Sequence, residues 1–180
     1  MTSFIIRPPE EKDIEALAAL HFYMWNEFYK DYVPVEYSKA TYTIEQCREH
    51  QHKMLQEIAS TDKALALVAI DAENGNLAGL CYINQNDRPP DHDLYIPDFE
   101  LELQRLYIWP EYRDNHVAGR LFQSVLRWAK QHRYYSVFWW VLDLNAFSHI
   151  HGKRGAKVVK QMPRDYTGTI LNLTAYGMEL

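Results

Sequence analysis

ELQRLYIWPEYRDNHVAGRLFQSVLRWA, residues 102–129, decides how this chain is read. It continues a β-rich run, Phe99 to Trp109, and Pro110 ends that run because proline has no amide hydrogen for a sheet ladder. Beyond the loop Glu111 to His116 the apolar spacing becomes helical. Val117, Leu121, Val125 and Trp128 share one face, with Phe122, Leu126 and Ala129 beside it, which predicts a helix over Val117–Gln131. Amide N–H groups in such a loop and first helical turn have no intrahelical acceptor. They point one way, and the helix dipole adds positive potential there. A strand, loop and helix of this kind can hold a pyrophosphate with no lysine in the loop. The Gly-Lys-Ser/Thr of a P-loop is absent.

Working outward, Phe4 to Arg7 reads as a first strand stopped by Pro8 and Pro9. Asp13 to about Tyr29 has apolar residues at helical spacing (Ile14, Leu17, Ala18, Leu20, Trp25, Phe28), and Pro34 breaks the chain. Thr43 to Ile58 reads as a second helix, with Thr43 and Gln46 forming a capping box. Leu65 to Asp71 and Leu77 to Asn84 read as strands joined by a turn containing Asn-Gly. Residues 85–98 are proline-rich and acidic, hence a loop. Ser136 to Leu142 is apolar on both faces, as in a strand buried in the parallel part of a sheet. A short helix is predicted from about Asn145. Lys157 to Met162 and Thr169 to Tyr176 close the chain as an antiparallel pair. The order is β-α-α-β-β-β-α-β-α-β-β, its central β-α-β a right-handed crossover with parallel strands. No linker divides it, so residues 1–180 read as a single α/β (α+β) domain with a mixed sheet flanked by helices.

Composition narrows the classes further. Hydrophobic residues make up 47% of the chain, enough for a core, so disorder is excluded for its body. A formal net charge of -5 argues against a nucleic-acid binder, which needs a basic face. Cys47 and Cys81 form no CxxC pair, and the two histidines of EHQHK (49–53) stand at i, i+2, on different sides of a helix; no metal site is expected. The N-terminal stretch lacks a signal-peptide core, and no apolar run is long enough to span a bilayer. A cytoplasmic protein with reduced thiols and no membrane partner is the expectation.

The 102–129 segment resembles motif A of the GNAT superfamily of N-acetyltransferases. That motif is an Arg/Gln-x-x-Gly-x-Gly/Ala loop following a Leu-Tyr-Val-x-Pro-x-Tyr strand end. Leu106, Tyr107 and Ile108 match the strand end, Pro110 and Tyr112 the approach, Arg113 the first loop place and Ala118 the last. The resemblance implies an acyl-CoA acyltransferase fold whose sheet splits between the strands holding Leu106 and Val141. It implies acetyl-CoA as co-substrate, bound by Leu106, Tyr107, Ile108, Arg113, Asp114, Asn115, His116, Val117, Ala118, Gly119 and Asn145. It implies direct transfer of an acetyl group to a primary amine of a small molecule or peptide. Homodimers are common in such folds. The ELQRLYI start is similar to enzymes acting on polyamines and small amines.

Two departures from the family pattern matter. The middle loop glycine is His116, whose side chain either crowds the phosphate or contacts it. Downstream, the family has Asn-x-x-Ala-x-x-Phe-Tyr-x-x-x-Gly-Phe. Counting back four residues from Gly155 places His151 where the resemblance implies the tyrosine that protonates the leaving thiolate. Histidine can do that work. Counting forward from Asn145 places Gly152 there instead and leaves no acid.

By period-two alternation Glu100, Glu102, Gln104, Leu106 and Ile108 share one strand face. Glu102 is then the candidate base for the attacking amine, directly or through water, and Glu100 the second choice, also assigned to the acceptor pocket. The first helices are expected to wall that pocket with aromatics, Tyr23 and Tyr29 among them. Asp91, Asp93 and Asp98 would suit an ammonium group. Trp25 and Phe28 read as core. The rival reading, motivated by His116 and the missing tyrosine, is a non-catalytic GNAT-fold ligand-binding or interaction protein with a degenerate CoA loop.

Overall fold

The computed structural model describes residues 3–143 and 155–180. The predicted helix from Asn145, together with His151, lies outside them. Seven strands form: β1 (Phe4–Arg7), β2 (Ala64–Asp71), β3 (Leu77–Gln85), β4 (Leu101–Ile108), β5 (Ser136–Leu142), β6 (Lys157–Tyr166) and β7 (Thr169–Glu179). They make one sheet in the order β1-β2-β3-β4-β5-β7-β6. Its neighbours are antiparallel except β4 and β5, the predicted parallel pair across the crossover helix. The helices are α1 (Ile14–Tyr23), α2 (Val35–Thr41), α3 (Ile44–Ser60) and α4 (Val117–Gln131). The protein therefore has the α/β architecture expected, a mixed sheet flanked by helices.

Several local signals translate directly. Thr43 Oγ1 accepts from the Gln46 amide at 3.2 Å and Gln46 Oε1 accepts from the Thr43 amide at 2.9 Å, so α3 starts with the predicted capping box. The Asn-Gly turn between β2 and β3 places Gly75 at φ 78, a conformation glycine adopts without a steric penalty. Other elements differ. The first helix stops being α at Tyr23 and continues as one π-helical turn, Met24–Phe28. α2 was not foreseen; it follows Pro34 and is too short for a periodic apolar pattern to show. β6 runs on through Pro163 to Tyr166, which an edge strand tolerates because its outer amides need no partner.

Two apolar layers sandwich the sheet. On one side α4 buries Val117, Leu121, Phe122, Val125 and Ala129 against Leu101, Leu103 and Ile108 of β4 and Val137, Trp139 and Val141 of β5. On the other, Leu17 and Leu20 of α1 and Met54 of α3 cover Val68, Leu80 and Tyr82. The loop after β3 crosses the outer part of that second face. There Asn86 donates to the carbonyls of Ile96 and Phe99, and Trp140 donates to that of Leu94.

Candidate active site

β4 and β5 are hydrogen-bonded only at their starts, Leu101 opposite Val137 and Glu102 opposite Phe138. Beyond these pairs the strands separate. The opening is a cavity of about 700 Å³ between Gln104–Ile108 on one wall and Trp139–Leu142 on the other. Its mouth is closed by the loop Arg113, Asp114, His116 and the first turn of α4, and one side by Met24, Phe28 and Tyr29 of the π-helical turn.

The loop has the geometry of an anion site. The Arg113 amide is used by Pro110 O, and the first helical bond of α4 is Arg120 N–H to His116 O. Among the described residues the amides from Asp114 to Gly119 have no backbone acceptor, and His116 makes no side-chain cap. His116 sits at φ 58, ψ 12 and Asp114 at φ 66, both left-handed. This explains why the family pattern has glycine at the His116 place: the loop turns through a conformation that costs a residue with a Cβ roughly 1–2 kcal/mol. The chain adopts the turn despite the histidine, and the exposed imidazole lines the cleft mouth. Gly119 has open space where a Cβ would stand, so no protein neighbour requires glycine there. The Arg113 guanidinium lies over the Phe28 ring at 4.6 Å and ties the loop to the π-helical turn. Outside the mouth, His116, Gly119, Arg120 and Arg127 border a second groove of about 820 Å³ along the outer side of α4.

The strand face expected for the acid–base residues is corrected by a bulge. Ile83 pairs with Leu103 but Tyr82 pairs with Arg105, so Gln104 is an extra residue in β4. Alternation changes phase there. Leu101 and Leu103 face α4, and so do Leu106 and Ile108. Glu102 therefore lies on the opposite face from Leu106 and Ile108, not on a shared one. Its carboxylate is buried, forms an ion pair with Arg88 and is not part of the cleft wall. Glu100 is exposed, and its carboxylate accepts the Tyr135 amide at 2.5 Å, at the closed end of the β4–β5 junction. That position removes Glu100 from the acceptor pocket.

Of the aromatic wall, Tyr29 lines the cleft and Tyr23 does not; Tyr23 packs on Trp109 with ring centroids 5.0 Å apart. Trp25 stacks on Tyr42 at 4.2 Å, as core, whereas Phe28 lies in the cleft wall. Asp91, Asp93 and Asp98 are exposed and line none of the cleft. Leu106, Tyr107, Ile108, Arg113, Asp114, His116, Val117, Ala118 and Gly119 all line it, and Asn115 stands at the loop tip, its side chain donating to Arg113 O. Asn145 and His151 lie outside the described residues.

Sequence reasoning missed a polar cluster on the α1/α3 face beside the cleft. Arg105 and Tyr107 of β4 point into it. His21 is 3% exposed and Gln51 fully buried; Gln51 Nε2 lies 3.0 Å from His21 Nδ1 and donates to Cys47 O. His50, Tyr42 and Tyr107 surround the His21 ring at 5.4, 5.4 and 5.6 Å. Burial, then the charge of Arg105 and then His50, pushes the His21 imidazole down to about 2. His50 is lowered by burial first and by Arg105 second. Burial likewise raises the Tyr42 and Tyr107 phenols. The missed signal was modest: histidines at 21 and 50 on predicted helices, with nothing local to show that both would face Arg105.

A mixed sheet that parts between its two parallel strands, with open loop amides at the parting, defines the acyltransferase class to which motif A points. The chain belongs to the GNAT family: the family model described as Acetyltransferase (GNAT) family matches residues 18–151. Solved structures share the fold across nearly the whole chain. PaiA N-acetyltransferase from Thermoplasma acidophilum, in complex with coenzyme A, is 20% identical with a TM-score of 0.68 and 99% of each chain covered. An N-acetyltransferase from Staphylococcus aureus Mu50 is 19% identical with a TM-score of 0.72, again over 99% of each chain. The ribosomal-protein-alanine N-acetyltransferase of Brucella melitensis is 16% identical with a TM-score of 0.72, covering 98% of this chain and 99% of that one. No functionally curated protein matches the chain in sequence. No helix among the described residues is long and apolar enough to cross a membrane.

Proposed function

We propose that this protein transfers an acetyl group from acetyl-CoA directly to a primary amine of a small molecule or peptide. The observation that carries the reading is the parted β4–β5 cleft with the open amides of Asp114 to Gly119 at its mouth. The pyrophosphate would accept from those amides, aided by the α4 dipole. The outer groove with Arg120 and Arg127 suits the remaining phosphate of the nucleotide end. The pantetheine arm would enter the cleft, where β4 beyond Glu102 has main-chain groups not taken by β5 and able to hold the thioester oxygen.

The amine nitrogen attacks the thioester carbon, the C–S bond breaks, and the thiolate takes a proton, for which His151 is the proposed donor. The nitrogen loses its extra proton to water. Glu102, tied to Arg88 outside the cleft wall, would receive it only through that water. Positioning and backbone hydrogen bonds therefore supply most of the catalysis, with no covalent enzyme intermediate. Cys81 is fully buried, and burial, its largest influence, raises the Cys47 thiol to about 11, which argues against either cysteine as an acyl carrier. His116 in a glycine-like turn supports a working loop over a degenerate one.

Calorimetry with acetyl-CoA tests binding, and thiol release across an amine panel tests turnover. Saturable binding with amine-dependent release is expected. Absence of acetyl-CoA binding would remove the enzyme reading.

A further inference from the structure

We propose that Arg105 makes the acceptor pocket selective for amines that also carry a carboxylate, a specificity that rests on the transfer reading above. Arg105 lines the cleft, and its guanidinium leans over the Tyr82 ring at 5.6 Å. Its Nη1 is buried and has no hydrogen-bond partner, and among the described residues Arg105 forms no ion pair with a carboxylate. Glu57, across Tyr82, is already engaged by the Tyr82 hydroxyl and by Asn84 Nδ2. Arg105 is half-buried, and the part of its guanidinium withdrawn from water has no anion, a cost that a ligand carboxylate would offset.

The surroundings agree. Gln51 is fully buried with an unpartnered Oε1, and His50 Nδ1 is buried and unpartnered as well. Together with Arg105 Nη1, three unfilled polar atoms gather on one side of β4. His21 and His50 add no charge, because burial and Arg105 itself disfavour their protonated forms. On this side of β4 the charge offered to a ligand is that of Arg105, which forms no ion pair among the described residues; Glu57 keeps its own charge beyond Tyr82, held by neutral donors.

Position excludes the cofactor phosphates as its partner. The open amides of α4 serve the face where Leu106 and Ile108 point, whereas Arg105 points to the α1/α3 face with Tyr82 and Tyr107. The acceptor would reach the thioester from that second face. A carboxylate there makes a bidentate, charge-assisted pair with the guanidinium. A polyamine would instead bring a second ammonium group towards it. Asp91, Asp93 and Asp98, which could offset such repulsion, are exposed in the loop after β3 and line none of the cleft. The acceptor class is thus an amino acid or a related aminocarboxylate.

The test compares three matched sets in the thiol-release assay: amino acids, their carboxamides and the decarboxylated amines, with putrescine and spermidine included. The wild-type protein is expected to favour acids over matched amides by about 10-fold or more, from a charged hydrogen bond lost in the amide. Arg105→Gln should lower kcat/KM for acids by about 30-fold and leave the amides nearly unchanged, with partial recovery in Arg105→Lys. Acetyl-CoA affinity should stay the same, and the melting temperature should hold or rise, because an unpaired charge has been removed. Equal turnover of acids and amides, or equal losses for both in Arg105→Gln, overturns the proposal; so does a lower melting temperature with unchanged preference. Calorimetry with N-acetylamino acids and no cofactor separates the two readings. Binding that disappears in Arg105→Gln, without transfer to any amine, keeps the carboxylate site and removes the enzyme. Absence of both transfer and binding removes the site.

Discussion

Acidification should unfold this protein partly through one imidazole. His21 is 3% exposed, wedged between α1, α3 and β4, and faces Arg105, His50, Gln51, Tyr42 and Tyr107. Burial first, then Arg105, holds its pKa at about 2 in the folded chain, against an ordinary value of 6.5. A lowered histidine pKa means that the unfolded chain binds the proton more readily. The stability that neutral His21 contributes is complete above 6.5 and is lost as the pH falls below it, down to the folded value. Between pH 7.5 and pH 5 only the unfolded chain titrates at this position. The loss is about 1.4 kcal/mol per unit below 6.5, or about 2 kcal/mol at pH 5, provided the folded pKa lies below 5. His50, also lowered, acts in the same direction. Asp13, held below its ordinary 3.8 by Arg7 and the Glu10 amide although burial opposes this, acts only at lower pH. Urea unfolding of wild type and His21→Gln at both pH values isolates the His21 share, because His50 remains in both proteins. The wild type should lose about 2 kcal/mol more than the variant on going to pH 5. The same loss in both would show that His21 is not a buried neutral imidazole.

Three further perturbations address the cleft and its frame. Ala118→Glu places a carboxylate beside the open amides, and acetyl-CoA affinity measured by calorimetry should fall by about 100-fold or more. Gly79→Ala puts a Cβ 2.7 Å from Tyr107 O and against Ile108 Cδ1, so β3 and β4 must move apart. The expected cost is about 1–3 kcal/mol in urea unfolding, with weaker cofactor binding because the same strand end walls the cleft. Thr43→Ala removes the acceptor of the Gln46 amide at the start of α3 and should cost about 1 kcal/mol, leaving acetyl-CoA binding unchanged.

Much of the molecule follows from local chemistry that sequence alone displays. The 3.6-residue spacing from Val117 to Trp128, the Thr43–Gln46 box and the Asn74–Gly75 turn each bias a few adjacent residues, so they act before any partner is present. The phosphate loop belongs to the same class, since open amides at a helix start are a property of the chain itself. Tertiary structure decided the rest. The face of β4 changes at Gln104 because pairing with β3 inserts a bulge, and one extra residue moves Glu102 away from the face of Leu106 and Ile108. The parting of β4 from β5 depends on how far two strands separated by α4 stay in register. The gathering of Arg105, His21, His50 and Gln51 depends on three elements meeting, and that Arg105 meets no carboxylate in an ion pair emerges only once β4 has packed against α1 and α3. Periodicity says which way a side chain points along a regular element. What stands opposite that side chain, and whether its charge is balanced, is set by long-range packing.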